Sequence, residues 1–400
     1  MSKRAFAIII AGFLTVFVAF AVRYAYGLLL PHMLPSLAIS KTQAGLIYSS
    51  YFIAYTIFSP ILGLLVDRYD ARILLTFFVA LLGAGACLMS SSSGMIQASL
   101  FFALAGIGHS ACWVPVVTVV QRWVSDRRRG TALAVVDLGS ASGIAGWSIL
   151  MPLIVGAYDW RTGWMALGLL ALLVACMNFF LIRSYPSGDP ESLKPGGAHP
   201  ARISVMETYR ALLLDRRFWC IGLSYMLIAF SILIPYAFLV TYATQELHIP
   251  YKSATGLIAV IAIAGVFGKL VLGHISDIVG RLRVMMLCGV FTAAGGLGMA
   301  FGQGFSTLVL SAAVFGIGYG AIWALYAASA RDFFPKEHTG SVIGLWTLYL
   351  GIGSILSPVM AGWLIDSTGG YRGAFVLVTL GGVIASLLLI PIAKKASPRN

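Results

Sequence analysis

Apolar runs of about 20 residues, the length needed to cross a hydrocarbon core, recur from one end of this 400-residue chain to the other. Short polar connections separate them. The pattern predicts twelve spanning helices, over 6–30, 44–66, 73–92, 96–121, 130–156, 161–183, 217–244, 254–276, 283–303, 306–331, 339–365 and 371–393. Helices are required, because lipid offers no partner to an open strand backbone. The one long polar, breaker-rich connection runs over 184–216 and carries Pro186, Pro190, Pro195, Gly196 and Gly197. It reads as a linker between six-helix halves 1–183 and 217–400, with a short amphipathic helix expected around Ser204–Leu214.

The halves repeat each other. An ungapped shift of 210 residues superposes Ala19-Phe20 on Ala229-Phe230 and Tyr26 on Tyr236. It also carries Gly106-Ile107-Gly108 onto Gly316-Ile317-Gly318, Trp113 onto Trp323 and Gly130 onto Gly340. A register held over five apolar segments marks an internal duplication.

Composition and charge then exclude whole classes of function. Hydrophobic residues make up 59% of the chain and charged residues only 10%, which rules out a soluble globular protein. The net charge of +13 is no sign of nucleic-acid binding, because the cations alternate in side. Lys3, Arg4, Arg68, Arg72, Arg122, Arg127–Arg129, Arg183, Arg281, Arg283, Arg331, Lys394 and Lys395 fall on one side. Lys41, Arg161, Lys252 and Arg372 fall on the other. Both termini and the linker are therefore expected in the cytoplasm, with the chain as a multi-pass protein of the cell (inner) membrane. The first apolar run shows no small-residue cleavage site and reads as a retained span. The five cysteines lie in apolar runs without metal-type spacing. No nucleophile–base pairing, metal cluster or phosphate loop is present, so neither an enzyme nor a cofactor is expected.

Two stretches organise the chain: Gly63-Leu64-Leu65-Val66-Asp67-Arg68 and Gly273-His274-Ile275-Ser276-Asp277 with Gly280-Arg281. Both resemble the Gly-x-x-x-Asp-x-x-Gly-Arg loop motif of the major facilitator superfamily. The first copy departs from it, with Asp70 and Ala71 where the motif prefers Gly and Arg. The resemblance implies an all-α membrane protein of two pseudo-symmetric six-helix bundles, with a substrate site near the midplane between them. An Asp at a helix end can pair with Arg and cap a neighbouring helix, so breaking a cluster of Asp67, Arg68, Asp277 and Arg281 would gate one side, against which a static interfacial ion cluster stands as the alternative.

Charges inside a membrane are the sharpest functional signal. There are three here: Arg23 in span 1, Asp137 in span 5 and Lys269 in span 8. Their repeat mates are Leu233, Thr347 and Ser59, so the fold itself does not require them. Lys269 lies in Gly268-Lys269-x-x-x-Gly273-x-x-Ser276-Asp277. This is similar to the span-8 pattern of the monocarboxylate and oxalate/formate branch of the superfamily, with Lys in place of Arg. The resemblance implies that Lys269 meets a substrate carboxylate. Asp137 falls at nearly the depth of Lys269, which suggests an ion pair that substrate or a proton would break; pairing within its own half is the alternative. Arg23, flanked by Tyr24 and Tyr26, suits a planar organic anion through fork hydrogen bonds and stacking. An outer snorkelling arginine is the bland reading.

His109 and Trp113, and Tyr319, Trp323 and Tyr326, sit at turn spacing in spans 4 and 10, which line the cavity in this architecture. They are substrate-site candidates, and His109 joins Asp137 and Lys269 as a candidate for proton coupling. Tyr225, Tyr236 and Tyr242 are further candidates. Gly139, Gly143 and Gly146 permit close helix contact in span 5. No proline occurs between Asp137 and Met151, which argues against drug export. The sequence thus points to a monomeric secondary transporter of a small organic anion such as lactate or pyruvate, with a proton as co-ion. Anion–anion exchange, drug-like export and a transporter-like sensor are the alternatives.

Overall fold

A computed structural model describes residues 2–66, 69–185, 212–335 and 338–393. The predicted linker and its amphipathic stretch, and the gating candidates Asp67 and Arg68, lie largely or wholly outside the described residues. Among those described, twelve helical spans are long and apolar enough to cross a membrane. The protein is an all-α, multi-pass membrane protein.

Thirteen helices make these spans: α1 (Lys3–Leu37), α2 (Lys41–Val66), α3 (Ala71–Met89), α4 (Met95–Ser110), α5 (Val114–Trp123), α6 (Asp126–Ala157) and α7 (Trp160–Leu181) in the first half of the chain. The second half holds α8 (Arg216–Gln245), α9 (Tyr251–Val279), α10 (Arg281–Phe301), α11 (Phe305–Phe333), α12 (Thr339–Thr368) and α13 (Arg372–Ala393). Four of the helix starts are fixed by short polar side chains that take up orphan N–H groups. The Ser2 hydroxyl accepts from Ala5 N–H at 3.1 Å, and Asp70, Asp159 and Asp215 cap α3, α7 and α8. Asp70 is one of the two residues that depart from the loop motif, and its carboxylate accepts from Arg72 N–H at 2.8 Å. Arg161 serves the opposite end of α3, donating to the carbonyls of Ser90 and Ser92 at 2.7 and 2.8 Å, where the helix dipole favours a cation.

The fourth predicted span is not one helix. It breaks at Ala111–Trp113 into α4 and α5. Pro115 accounts for the break: it has no N–H for the Ala111 carbonyl, and its ring crowds that carbonyl. The repeat mate of Pro115 is Leu325, and α11 runs unbroken past it.

The chain divides into two compact units, Met1–Ile39 with Leu46–Ala198, and Ser40–Gly45 with His199–Asn400. Within unit 1, α1 packs on α6 and α7, and α3 on α4 and α7. Within unit 2, α8 packs on α12 and α13, and α10 on α11 and α13. The first turn of α2 groups with unit 2, where the Asp366 carboxylate caps it. Asp366 accepts from Lys41 N–H at 3.1 Å and from Thr42 N–H at 2.8 Å.

The duplication extends to the packing. A Cβ on Gly106 would strike the Tyr51 carbonyl, and one on Gly316 would strike the carbonyl of Ile261, the repeat mate of Tyr51. Backbone passes that close need a residue without a side chain.

Candidate functional site

Arg23 lies on α1 and is 6% exposed. Its guanidinium carbon stands 4.6 Å from the centroid of Phe52, 5.3 Å from that of Tyr24, and 5.8 Å from those of Phe20 and Tyr55. Four rings therefore hold the cation by their faces. No carboxylate among the described residues does. Among the described residues no Asp or Glu side chain is fully buried, and Arg23 Nε is buried without a hydrogen-bond partner. The Tyr48 hydroxyl is in the same condition.

Helix α2 supplies most of this cage through Tyr48, Tyr51, Phe52 and Tyr55. Their spacing of three, four and seven residues puts them on one helix face. Tyr48, Tyr51 and Phe52 are inaccessible. The sequence reading missed all four, although their spacing was the signal. Tyr26, from α1, stacks on Tyr48 at 5.0 Å and on Phe102 at 5.2 Å.

His109 completes the cluster from the last turn of α4 and is 3% exposed. Its Nδ1 lies 2.6 Å from the Tyr51 hydroxyl and 3.1 Å from the Ala19 carbonyl, one helical turn before Arg23. The ring also packs on Phe20 at 5.3 Å and on Tyr55 at 5.4 Å, so it shares two rings with Arg23. Trp113, predicted beside His109, falls instead in the break between α4 and α5 and is 41% exposed.

In unit 2 the candidates form an aromatic ladder between α8 and α11. Tyr236 meets Tyr319 edge-on at 5.6 Å, and Tyr319 meets Trp323 at 6.2 Å. Tyr225 packs on Trp323 and stacks on Tyr326 at 4.3 Å. The Tyr326 hydroxyl lies 2.6 Å from Ser224 Oγ, and Ser224 in turn donates to the Ala385 carbonyl at 2.9 Å. Lys269 is half-buried on α9, next to Gly268, which packs against the Ile317 carbonyl. Asp137 is half-buried on α6 of unit 1.

At the α9–α10 junction Arg281 donates to Asp332 and reaches Asp277 at 3.7 Å. Asp332, from the end of α11, is an addition to the predicted cluster. Tyr242 sits at the far end of α8 from it, donating to the Gly302 carbonyl at 3.2 Å. A pocket of about 370 Å³ nearby, lined by Lys41, Gln245, Glu246, Asp366 and Tyr371, contains none of the predicted site residues.

The family model that matches the chain is that of the Major Facilitator Superfamily, over residues 12–277 and 222–400. The hexuronate transporter of Bacillus subtilis is 27% identical, over 97% of this chain and 94% of that protein. Monocarboxylate transporter 12-B of Danio rerio is 26% identical, over 84% of this chain and 76% of that protein. The solved structure of the nucleoside transporter NupG has the same fold, with a TM-score of 0.81 at 14% identity over 98% of this chain and all of that one.

Proposed function

The chain belongs to the Major Facilitator Superfamily, and from that premise we propose that it carries a small organic anion, a monocarboxylate such as lactate or pyruvate, by alternating access with a proton as co-ion. The observation that carries this reading is Arg23. A guanidinium taken out of water without a carboxylate partner is costly, and a substrate carboxylate offsets that cost by taking the fork hydrogen bonds the cage leaves open. Aromatic faces on four sides match a flat anion. The hydroxyls of Tyr48 and Tyr51 add donors beside the guanidinium.

Lys269, on unit 2, is a further candidate for meeting a substrate carboxylate, as the monocarboxylate-type pattern around it implies. Asp137, His109 and Lys269 are the candidates for proton coupling, and the Arg281–Asp277–Asp332 cluster gates one side. Both termini face the cytoplasm of a cell-membrane monomer, following the distribution of Lys and Arg. A sugar acid is the second reading. The hydroxyl-rich wall around Arg23 and the likeness to a hexuronate transporter favour it.

Uptake of labelled lactate, pyruvate and glucuronate into proteoliposomes under an inward proton gradient tests the proposal. Saturable uptake of one of them, lost in Arg23→Ala and Lys269→Ala, is expected. No uptake of any carboxylate, together with thermal stabilisation by a neutral or cationic compound, contradicts it.

A further inference from the structure

We infer that His109 is the group that takes up the co-transported proton, and that the anion on Arg23 is what lets it do so. The inference rests on the anion reading of the Arg23 cage.

Arg23 and His109 are the two fully buried side chains among the described residues that can carry a positive charge. They sit against the same rings, Phe20 and Tyr55. Two cations this close in a medium poor in water repel strongly. Arg23 keeps its charge under all conditions, so the imidazole stays neutral while the cage is empty. A carboxylate bound to the guanidinium cancels that field, and the second positive charge becomes affordable. Anion and proton then bind with positive linkage, each strengthening the other by the same factor.

The hydrogen bonds fit this role. The Ala19 carbonyl at 3.1 Å from Nδ1 calls for a hydrogen on that nitrogen, since two lone pairs would otherwise face each other. The Tyr51 oxygen at 2.6 Å is a second acceptor for the same hydrogen. Nε2 is then the basic nitrogen, and the arriving proton goes there. The imidazolium is formed with its Nδ1–H already engaged, so no rearrangement of α1 or α2 is needed. When the anion leaves, the Arg23 field returns and Nε2 gives the proton back to water.

Among the described residues His109 meets Ala19, Phe20, Tyr51 and Tyr55, none of them a carboxylate, while α6, which packs on α1, carries Asp137. Helix α1 presents Arg23 and Tyr24, α2 presents Tyr48, Tyr51 and Tyr55, and α4 and the break after it contribute Cys112. Helix α3 also packs on α4, but its ionisable residues, Arg72 and Cys87, stand at its two ends.

The test uses the full chain in proteoliposomes and in detergent, with lactate, pyruvate and glucuronate as probes. In His109→Gln, proton-driven accumulation should fall about tenfold or more beyond any fall in the exchange of internal for external anion. A residue that only supports the fold would lower both. In lightly buffered detergent solution, native protein should take up about one proton for each anion bound. His109→Gln should bind the anion without proton uptake. The inference is overturned if His109→Gln still accumulates anion like native protein, or if native protein binds anion with no proton uptake. The second arm needs only the native chain, so misfolding of the variant cannot shelter the idea. Native protein that neither exchanges nor binds any carboxylate fails earlier, on the anion reading itself.

Discussion

The two units descend from one repeat, yet they place their polar chemistry differently. In unit 1 a cation sits in an aromatic cage with donors to spare. At the matching positions of unit 2 the cage is absent: Arg23 corresponds to Leu233, Tyr48 to Ile258, Tyr51 to Ile261, Phe52 to Ala262 and Tyr55 to Gly265. Leu233, Ile258 and Ile261 are fully buried, so the same backbone frame there closes into ordinary apolar packing. Unit 2 keeps aromatic rings instead on α11, where Tyr326 is already hydrogen-bonded to Ser224. The fold needs the glycine seams, which recur in both units. It does not need the cage, which occurs in one. What the duplication conserves is packing, and what it lets diverge is chemistry.

Replacing Arg23 by the residue of its mate breaks this contrast most severely. Arg23→Leu should lower anion uptake by about 100-fold or more, because one charge-assisted anchor is lost from a dry site. The same variant should melt higher by several degrees, since it removes an uncompensated buried charge. Uptake assays and thermal melts on the purified protein check both. Lower stability with unchanged uptake would make Arg23 a structural residue.

The glycine seams offer the opposite result, an effect that does not distinguish the units. Gly106→Ala and Gly316→Ala should each cost roughly 1–3 kcal/mol, because each Cβ meets a carbonyl oxygen of the neighbouring helix. Parallel melts are the check. One tolerated and one severe substitution would mean that the packing has diverged as well.

Pro115→Leu copies Leu325 into unit 1 and should restore the Ala111 backbone bond. Amide exchange across Ala111–Val116 should slow by about tenfold, a gain of about 1.4 kcal/mol in local stability. Exchange mass spectrometry reads it. Tyr326→Phe should do least. It gives up one neutral hydrogen bond worth about 1 kcal/mol, while Ser224 keeps its bond to the Ala385 carbonyl. Uptake should change by less than about threefold, on the same scale of one neutral contact.

Much of this was legible in the sequence, for stated reasons. The spans and the repeat followed from apolar run length and an ungapped register, which lipid enforces strictly. Arg23 and His109 stood out because a charged or titratable side chain in an apolar run is costly. Their partners did not stand out. Tyr48, Tyr51, Phe52 and Tyr55 have the composition of a packed helix face, and only their assembly around Arg23 gives them a role. The break in the fourth span was written in Pro115, but prolines also occur inside continuous helices here, at Pro31, Pro152, Pro235 and Pro358. A proline alone therefore did not mark the break. Asp332 was invisible because its link to Arg281 joins residues 51 apart in the chain.

The central claim is that the Arg23 cage is built for a negative charge. Lactate and lactamide have nearly the same shape and differ in that charge. Thermal stabilisation of the purified protein by each of them, repeated with pyruvate and its amide, tests the claim most directly. Stabilisation by an acid and not by its amide, abolished in Arg23→Leu, is the result expected. Equal stabilisation by acid and amide, or an acid effect that survives in Arg23→Leu, would contradict it.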